Sequence, residues 1–295
     1  MSAILLTGAR GQLGWELGRS LSCLGEVRAF DSRSLNLADT DALHRTLEAV
    51  RPRLIVNAAA YTAVDKAESE VAQATAINAT APARMAEYAA HSGALLVHYS
   101  TDYVFDGSGE HPWREDAPTA PLNVYGTTKL AGEEAIRASG CPHLIFRTSW
   151  VYGARGSNFL LTMQRLFRER SELNIVADQI GAPTWCRSLA DATAQVLAQV
   201  QSPFRGADKP SPWGTYHMSN DGETSWHGFA QAILESSNLP QPPQLHAIAS
   251  SAYPTPARRP LNSRLDNGKL ARTFGVRLPD WQTALRLCLD APALP

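Results

Sequence analysis

A glycine-rich turn near the N-terminus is the feature that most restricts how this chain can fold. Residues 3–7 read as a short buried strand, Gly8, Gly11 and Gly14 follow at intervals of three, and a helical pattern begins at Trp15. The backbone N–H groups at such a helix start can bind the pyrophosphate of a dinucleotide. The turn therefore predicts a dinucleotide site formed by Gly8, Arg10, Gly11, Gln12, Leu13 and Gly14.

Glycines alone are weak evidence, because any tight turn from strand to helix favours them. Asp31 supplies the second part of the pattern, since it follows the predicted second strand, residues 26–30. A carboxylate there binds the ribose 2′-hydroxyl and repels a 2′-phosphate, which favours NADH. Arg10 and Arg33 can offset that repulsion. We therefore expect the chain to use both NADPH and NADH, with a modest preference.

Tyr125 and Lys129 form the only Tyr-x-x-x-Lys pair in the chain, whose sequence holds 4 lysines and 8 tyrosines. Residues 122–135 read as a helix start, and a spacing of four places both side chains on one helix face. A cation beside a phenol lowers the phenol's pKa from its ordinary value of about 10. The pair is therefore predicted to be a general acid whose pKa is lowered by its neighbour.

Thr101 falls at the end of a mostly apolar segment that predicts a buried parallel strand. Open α/β sheets bind their ligands at the carboxyl ends of their strands. The Thr101 hydroxyl is therefore a candidate to hydrogen-bond a substrate carbonyl oxygen beside Tyr125. His98, on the same segment, is interpreted as a hydrogen-bonded core histidine.

Strands and helices alternate through the first half of the chain. Strands are predicted near residues 3–7, 26–30, 54–57, 94–100 and 143–146, with helices that include residues 42–50 and 81–91. This alternation predicts an α/β fold with a doubly wound, parallel, Rossmann-type sheet. We assign residues 1–150 to this dinucleotide-binding domain. Residues 151–295 are predicted to be mainly a smaller, mixed α/β substrate-binding lobe, interleaved with the last Rossmann strands.

These motifs, in this order, resemble the extended short-chain dehydrogenase/reductase superfamily and, within it, the dTDP-4-dehydrorhamnose reductase family. Further segments that carry the resemblance are residues 56–68, 98–105, 121–126, 146–152, 178–184 and 252–260. The resemblance implies an oxidoreductase that uses NADPH or NADH to reduce the C4 keto group of a thymidine-diphosphate sugar, dTDP-4-dehydro-L-rhamnose. The product would be dTDP-L-rhamnose.

The resemblance also implies roles for individual residues. Catalytic roles fall on Thr101, Tyr125 and Lys129. Cofactor contacts, besides the glycine turn, fall on Asp31, Asn36, Leu37, Ala60, Tyr61, Thr62, Tyr99, Tyr125 and Lys129. Substrate contacts fall on Thr101, Asp102, Trp150 and, through an Ala-x-Arg-Pro pattern, Arg259. Arg258 and Arg264 are weaker candidates for the diphosphate, because ordinary surface arginines have the same appearance.

Two other interpretations stay open. A nucleotide-sugar dehydratase or epimerase of the same superfamily is one, although dehydratases carry an acidic residue directly after the Thr-Asp pair, where this chain has Tyr103. A non-catalytic, cofactor-binding regulatory subunit is the other, because the superfamily includes one similar to these reductases. The intact Thr101, Tyr125 and Lys129 favour catalysis.

The composition excludes several classes of partner. A formal net charge of −1 and a pI of about 6.7 give no electrostatic basis for binding nucleic acid or an anionic membrane. The 4 cysteines show no C-x-x-C spacing, so neither a zinc site nor a disulfide framework is predicted. Without a signal peptide or a long apolar run, we expect a cytoplasmic protein.

Magnesium is doubtful. Some members of the family form a dimer through a magnesium site that uses a glutamate matched here by Glu16 and a second glutamate at the position of Arg187. A guanidinium cannot ligate a hard cation. We therefore predict no metal site and a monomer or a metal-independent homodimer, with Glu16 and Arg187 as surface residues.

Overall fold

The computed structural model of the protein describes residues 3–201 and 211–290 of the 295-residue chain. Its strands, in chain order, are β1 (Ala3–Thr7), β2 (Glu26–Phe30), β3 (Leu54–Asn57), β4 (Leu95–Thr101), β5 (His143–Thr148), β6 (Val151–Tyr152), β7 (Glu172–Val176), β8 (Ile180–Gly181), β9 (Thr184–Trp185), β10 (Gly214–His217), β11 (Thr224–Ser225) and β12 (Gln244–Ile248). Its α-helices are α1 (Gln12–Ser20), α2 (Thr40–Val50), α3 (Val64–Ala67), α4 (Val71–Thr75), α5 (Ala81–Ser92), α6 (Val124–Ala138), α7 (Phe159–Glu169), α8 (Cys186–Val200), α9 (Trp226–Glu235), α10 (Gly268–Phe274) and α11 (Trp281–Asp290).

Six of these strands form one parallel sheet in the order β2-β1-β3-β4-β5-β10. Strands β1, β3 and β4 are buried along their whole length, which explains why they read as apolar runs. The chain moves outward from β1 to β2 and then in the opposite direction from β3, so the order reverses between β1 and β3. Ligands of open α/β sheets bind at such a switch point. The predicted α/β fold with a doubly wound parallel sheet is confirmed.

Helices cover both faces of the sheet because alternate strand residues point to opposite sides. Ile4 and Leu6 of β1 pack in a cluster with residues of α1, α8 and α10, whereas Leu5 packs in a second cluster with residues of α2, α5 and α6. The two layers position the first turns of α1 and α6 at the carboxyl edge of the sheet.

The chain beyond residue 150 contributes to two cores. Helices α8 and α10 and strand β10 return to the sheet and pack beside α1. Helices α7, α9 and α11 form a separate aromatic core around Tyr152, Phe229 and Trp281. Strand β12 pairs in parallel with β7 at the margin of this second unit. The assignment of a domain boundary at residue 150 stays a prediction. No helix of the described residues is long and apolar enough to span a membrane.

A buried ion pair attaches α6 to the sheet. The guanidinium of Arg147 on β5 donates to both carboxylate oxygens of Glu133, at 2.9 Å from Nε and 2.6 Å from Nη2. Arg137 donates to the same carboxylate at 2.9 Å. Burial opposes ionisation of Glu133, but the hydrogen bonds and charge of Arg147 outweigh it and hold the pKa of Glu133 below its usual value. Glu133 and Arg147 therefore form a buried ion pair, and each compensates the charge of the other.

The first prediction concerns this pair. Arg147→Leu is expected to lower the free energy of unfolding by about 3–5 kcal/mol, because it leaves Glu133 buried with less compensation. Since the pKa of Glu133 is depressed in the folded state, the wild-type advantage should shrink as pH falls through the carboxyl range. Urea unfolding at several pH values measures both effects.

The matched control is Arg84→Leu, which breaks the exposed Arg84–Glu87 pair and should leave stability nearly unchanged, because solvent screens this pair. The double variant Glu133→Met/Arg147→Leu is expected to be more stable than Arg147→Leu alone. If Arg147→Leu and Arg84→Leu lowered the free energy of unfolding equally, the buried pair would have no special role in stability.

Candidate active site

The start of α6 is fixed by two side chains. Asn123 is the N-cap, and its Oδ1 accepts from the backbone N–H of Gly126 at 2.8 Å. Glu68 accepts from the N–H of Val124 at 2.9 Å. Capping at this position places Tyr125 in the first turn and Lys129 one turn later on the same face.

Tyr125 lies beside Thr101 at the carboxyl end of β4. Burial raises the pKa of Tyr125 to about 12, and a hydrogen bond with the Thr101 side chain offsets the rise only in part. The sequence-based prediction that Lys129 lowers this pKa is therefore wrong for this structure, because desolvation of the phenolate is the larger effect. The phenol consequently holds its proton throughout the neutral range, which suits a proton donor.

Lys129 is buried beneath Tyr125 and only 1% exposed. Its Nζ donates to the backbone carbonyl of Tyr99 at 2.6 Å and lies 3.0 Å from Nε2 of His98. Burial lowers the pKa of Lys129 to about 8, although the charge of Glu133 acts in the opposite direction. Lys129 is therefore an amine that changes charge close to neutral pH.

Asp102 follows Thr101 and is almost fully buried. The Thr101 hydroxyl donates to its Oδ1 at 3.1 Å and accepts from the N–H of Tyr103 at 3.2 Å. Burial raises the pKa of Asp102 to about 6, against the lowering effect of hydrogen bonds from Ser263 and Thr101. Thr101, Asp102 and Tyr125 thus form one contiguous polar group.

A cleft of about 490 Å³ runs from the glycine turn to Tyr125, whereas Thr101 and Asp102 do not line it. We call it the glycine-loop cleft. Of the predicted cofactor residues, it is lined by Gly8, Arg10, Gly11, Gln12, Leu13, Asp31, Asn36, Leu37, Ala60, Thr62, Tyr99, Tyr125 and Lys129. The structure thus brings the predicted catalytic acid, its neighbouring amine and the glycine turn to one surface.

Two predicted cofactor residues occupy other positions. Gly14 packs directly against the turn, because a Cβ there would lie 2.1 Å from the carbonyl oxygen of Gly8. The phenol of Tyr61 hydrogen-bonds to Glu70. The side chain of Tyr99 also leaves the cleft, since its hydroxyl pairs with Thr193 at 2.6 Å. A cofactor contact from Tyr99 would therefore use its backbone.

The glycine-loop cleft fits a dinucleotide. No side chain of the described residues caps α1, so the N–H groups at its start are available for a phosphate. Gly8 has φ +73°, and a Cβ on it would lie 2.8 Å from the backbone of Ala58. This left-handed, tightly packed turn requires glycine and brings the backbone itself to the floor of the cleft.

A larger cleft, of about 690 Å³, lies in the C-terminal unit and is called here the C-lobe cleft. Its lining includes Phe159, Arg170, Gln179, Trp226, Tyr253 and Arg259. Trp226 stacks on Trp150, with ring centroids 3.7 Å apart. Trp150 has φ +49°, a strained conformation for a bulky residue that commonly marks a functional site.

Comparison with known proteins decides the family. The family described as "RmlD substrate binding domain" matches residues 1–293. A dTDP-4-dehydrorhamnose reductase of Burkholderia thailandensis is 50% identical over 292 residues, which cover 97% of both chains. The chain belongs to the dTDP-4-dehydrorhamnose reductase family.

Solved structures with these names have the same fold. The Clostridium acetobutylicum dTDP-4-dehydrorhamnose reductase superposes with a TM-score of 0.91 at 34% identity, covering 99% of this chain and 100% of the other. The Bacillus anthracis enzyme, in complex with NADP, superposes with a TM-score of 0.89 at 34% identity and covers 98% and 99% of the two chains. The predicted reductase family is confirmed.

The three candidate arginines of this family member occupy different environments. Arg259 forms a bidentate pair with Asp65, at 3.0 and 2.9 Å, which joins the C-terminal unit to α3. Arg264 is held by Asn262 and Glu223. Arg258 is exposed. Of the three, Arg259 alone lines the C-lobe cleft, so it stays the favoured phosphate contact.

Asn78 is a functional candidate that the sequence analysis missed. It is fully buried in a π-helical turn, Ala76–Thr80, between α4 and α5. Its amide accepts from the N–H of Tyr61 at 2.8 Å and donates to the Thr128 hydroxyl on α6 at 3.2 Å. Such turns are frequent at functional sites. A π turn has no simple sequence signal, and only the structure shows that Asn78 joins the cofactor loop to the catalytic helix.

Trp226 was missed for a similar reason. It stacks on Trp150 and donates from Nε1 to Gln179 at 3.1 Å. The two tryptophans lie far apart in the chain, so their stacking depends on the tertiary fold. An aromatic at the first position of a capped helix was the available signal.

Asp31, which is predicted to select between the two dinucleotides, lines the glycine-loop cleft. Its Oδ1 accepts from the N–H groups of Arg33 and Ser34, at 3.0 and 2.9 Å, and its Oδ2 lies 3.6 Å from Nη1 of Arg10. Hydrogen bonds from Ser34 are the main reason that the pKa of Asp31 is lowered. The carboxylate is therefore ionised, with one oxygen occupied by the turn.

The second prediction follows. Asp31→Asn keeps an oxygen for the turn and removes the negative charge, so the ratio of kcat/KM for NADPH to that for NADH is expected to rise by on the order of tenfold. Steady-state kinetics with each cofactor measures the ratio. Asp39→Asn is the control, because Asp39 caps α2 outside the glycine-loop cleft. A shift toward NADH in Asp31→Asn would show that Asp31 does not face the 2′ position.

The residues considered for magnesium pair with each other. Glu16 and Arg187 lie 3.9 Å apart within one chain, and Arg187 also approaches Asp191 at 3.7 Å. The described residues contain no cluster of three or more His, Cys, Asp or Glu side chains placed to hold a metal. This pairing gives Glu16 a cationic partner within its own subunit.

The third prediction is that activity survives chelation. Treatment with EDTA should leave kcat unchanged within error, and sedimentation should show the same oligomeric state before and after treatment. Arg187→Glu is the informative variant, because it restores a second carboxylate near Glu16. Magnesium dependence in the wild type, with dissociation of a dimer on chelation, would contradict this prediction.

Proposed function

We propose that this chain reduces the C4 keto group of dTDP-4-dehydro-L-rhamnose to give dTDP-L-rhamnose, with NADPH or NADH as the reductant. The observation that carries the proposal is that Tyr125 and Lys129 line the glycine-loop cleft and that Thr101 lies within hydrogen-bonding reach of Tyr125. The names of the relatives supply the sugar nucleotide and the position of the keto group.

The reduced nicotinamide, when bound, supplies a hydride to the C4 carbon. Tyr125 is proposed to supply the proton, because its phenol is protonated at neutral pH and lies beside Thr101. The Thr101 hydroxyl lies within hydrogen-bonding reach of this phenol. Its single hydrogen points to Asp102 in the structure and would turn to the substrate, so that Thr101 and Tyr125 both donate to one carbonyl oxygen. Together they stabilise the negative charge that develops on that oxygen.

Lys129 is proposed to bind the ribose hydroxyls of the cofactor. The carbonyl of Tyr99 holds its Nζ at 2.6 Å, and Lys129 lines the glycine-loop cleft. The residues proposed to hold the pyrophosphate are Gly11, Gln12 and Leu13 at the start of α1, because their backbone N–H groups form the helix N-terminus.

The C-lobe cleft is proposed to bind the thymidine-diphosphate part of the substrate. Arg259 supplies a guanidinium to its lining, and Trp226, which stacks on Trp150, supplies an aromatic surface. Asp102 is hydrogen-bonded to Thr101 and is proposed to accept a hydrogen bond from a sugar hydroxyl. The substrate would therefore bridge the two units of the chain.

The direct test is oxidation of NADPH or NADH by the purified chain with dTDP-4-dehydro-L-rhamnose, followed by the absorbance of the reduced nicotinamide. Turnover that depends on both substrates, with dTDP-L-rhamnose identified by mass spectrometry and NMR, supports the proposal. Tight cofactor binding without turnover would instead support a regulatory subunit. Epimerised or dehydrated products would identify a different member of the superfamily.

The fourth prediction concerns the acid. Tyr125→Phe is expected to keep cofactor binding and lose roughly 10²–10⁴ in kcat, because it removes the proton donor and retains the ring. Fluorescence titration of NADPH and steady-state kinetics measure the two properties. Tyr103→Phe is the control, since its ring packs edge-on against Tyr125 at 5.5 Å without a proposed proton role. Retention of more than half the activity in Tyr125→Phe would remove Tyr125 as the acid.

A further inference from the structure

A line of buried hydrogen bonds runs from the sheet to Lys129. Thr7 on β1, Asn57 on β3, His98 on β4 and Lys129 on α6 follow one another at 2.6, 3.0 and 3.0 Å. All four residues are at most 2% exposed. The line crosses three adjacent strands at the point where the strand order reverses, and its end lies in the glycine-loop cleft.

The direction of each hydrogen bond in this line can be assigned. Oδ1 of Asn57 accepts from the Thr7 hydroxyl at 2.6 Å and from the N–H of Ala59 at 3.3 Å. Nδ2 of Asn57 therefore faces Nδ1 of His98 and donates to it. A neutral imidazole carries one hydrogen, so the hydrogen of His98 lies on Nε2 and points at Lys129. Lys129 can accept it only as a neutral amine.

If Lys129 is an ammonium, the hydrogen bonds between Lys129, His98 and Asn57 must run in the opposite direction. An ammonium on Lys129 donates to Nε2, the imidazole hydrogen moves to Nδ1, and Asn57 must present its oxygen to His98. Rotation of the Asn57 amide achieves this, and the Thr7 hydroxyl can then accept from Nδ2. The hydrogen bond lost is the long one from Ala59, at 3.3 Å. Both directions thus keep His98 and Lys129 paired.

We propose that His98 is a positioning residue that governs the charge of Lys129, because its two tautomers pair in turn with the neutral amine and with the ammonium. The inference rests on the proposed function for its catalytic meaning, since Lys129 is the amine beside the acid Tyr125. The line of hydrogen bonds from Thr7 to Lys129 does not depend on that proposal, because it is present in the folded chain. A side chain at this position that offers Lys129 a carbonyl oxygen would favour the ammonium, whereas a side chain without a hydrogen-bond partner would favour the neutral amine.

Other charged groups around Lys129 do not replace this partner. Glu133 raises the pKa of Lys129 through its charge, but Arg147 and Arg137 already pair with its carboxylate. Tyr125 is neutral in the relevant range, and Asp102 acts on Tyr125. The pKa of His98 itself is held well below its usual range, by burial first and by Lys129 second, so His98 responds through its tautomer and stays uncharged.

The experiment measures Lys129 directly in the full chain. The sequence contains 4 lysines, so protein with 13C in the lysine side chains gives few signals, and loss of one signal in Lys129→Met assigns it. His98→Gln offers Lys129 a side-chain oxygen as acceptor and should raise its pKa from about 8 by about one unit. His98→Met removes the partner and should lower that pKa by a similar amount. His143→Gln, which changes a histidine that bonds to Cys141, is the control and should leave Lys129 unchanged.

The wild type provides a second, mutation-free measurement. The 15N shifts of the His98 ring should report hydrogen on Nε2 above the pKa of Lys129 and on Nδ1 below it. The alkaline limb of kcat/KM should move with the Lys129 titration in the two His98 variants. A tautomer that stays constant across the Lys129 titration, or variants that shift Lys129 in the same direction, would overturn the inference. The Lys129 and His98 titrations do not require substrate. If the chain failed to reduce the proposed substrate, they would still test the role of His98, so failure of one proposal can be distinguished from failure of the other.

Discussion

The attachment of α6 to the parallel sheet is the interaction on which the candidate site depends. Two ionisable residues of this helix, Glu133 and Lys129, are buried, and both contact the sheet. Glu133 meets Arg147 of β5, and Lys129 meets the carbonyl of Tyr99 and the ring of His98 on β4. A buried charge is costly unless its partners are in place, so these contacts allow few alternative positions for the helix. The orientation of Tyr125 follows from them.

Close backbone packing adds to this restraint. A Cβ on Gly132 of α6 would lie 2.2 Å from the carbonyl oxygen of Asn78, so the helix contacts the π turn directly. The Asn78 amide then connects that turn with the loop that contains Tyr61. The catalytic helix and a wall of the glycine-loop cleft therefore form one rigid piece. Such preorganisation suits proton donation, which requires accurate placement of the acid.

Two contacts that join the C-terminal unit to the rest of the chain bear on the candidate site. Arg259 and Asp65 form an ion pair, and Trp150, in its strained conformation, stacks on Trp226. The polar group of Thr101 and Asp102 lies on the Rossmann side, whereas the proposed phosphate and aromatic contacts lie on the other. A substrate that spans both would therefore complete the site.

The sequence by itself determined the α/β class, the first five strands of the parallel sheet and the family. Glycine spacing, apolar runs and the Tyr125–Lys129 interval are local signals, and each follows from the geometry of a turn, a buried strand or one helix face. The individual roles of the site residues stay predictions. Only the tertiary structure decided that burial raises the pKa of Tyr125, that Lys129 contacts His98, that Asn78 links two segments and that Trp226 stacks on Trp150. These properties depend on desolvation and on contacts between residues distant in the chain, and neither has a signature in the local sequence.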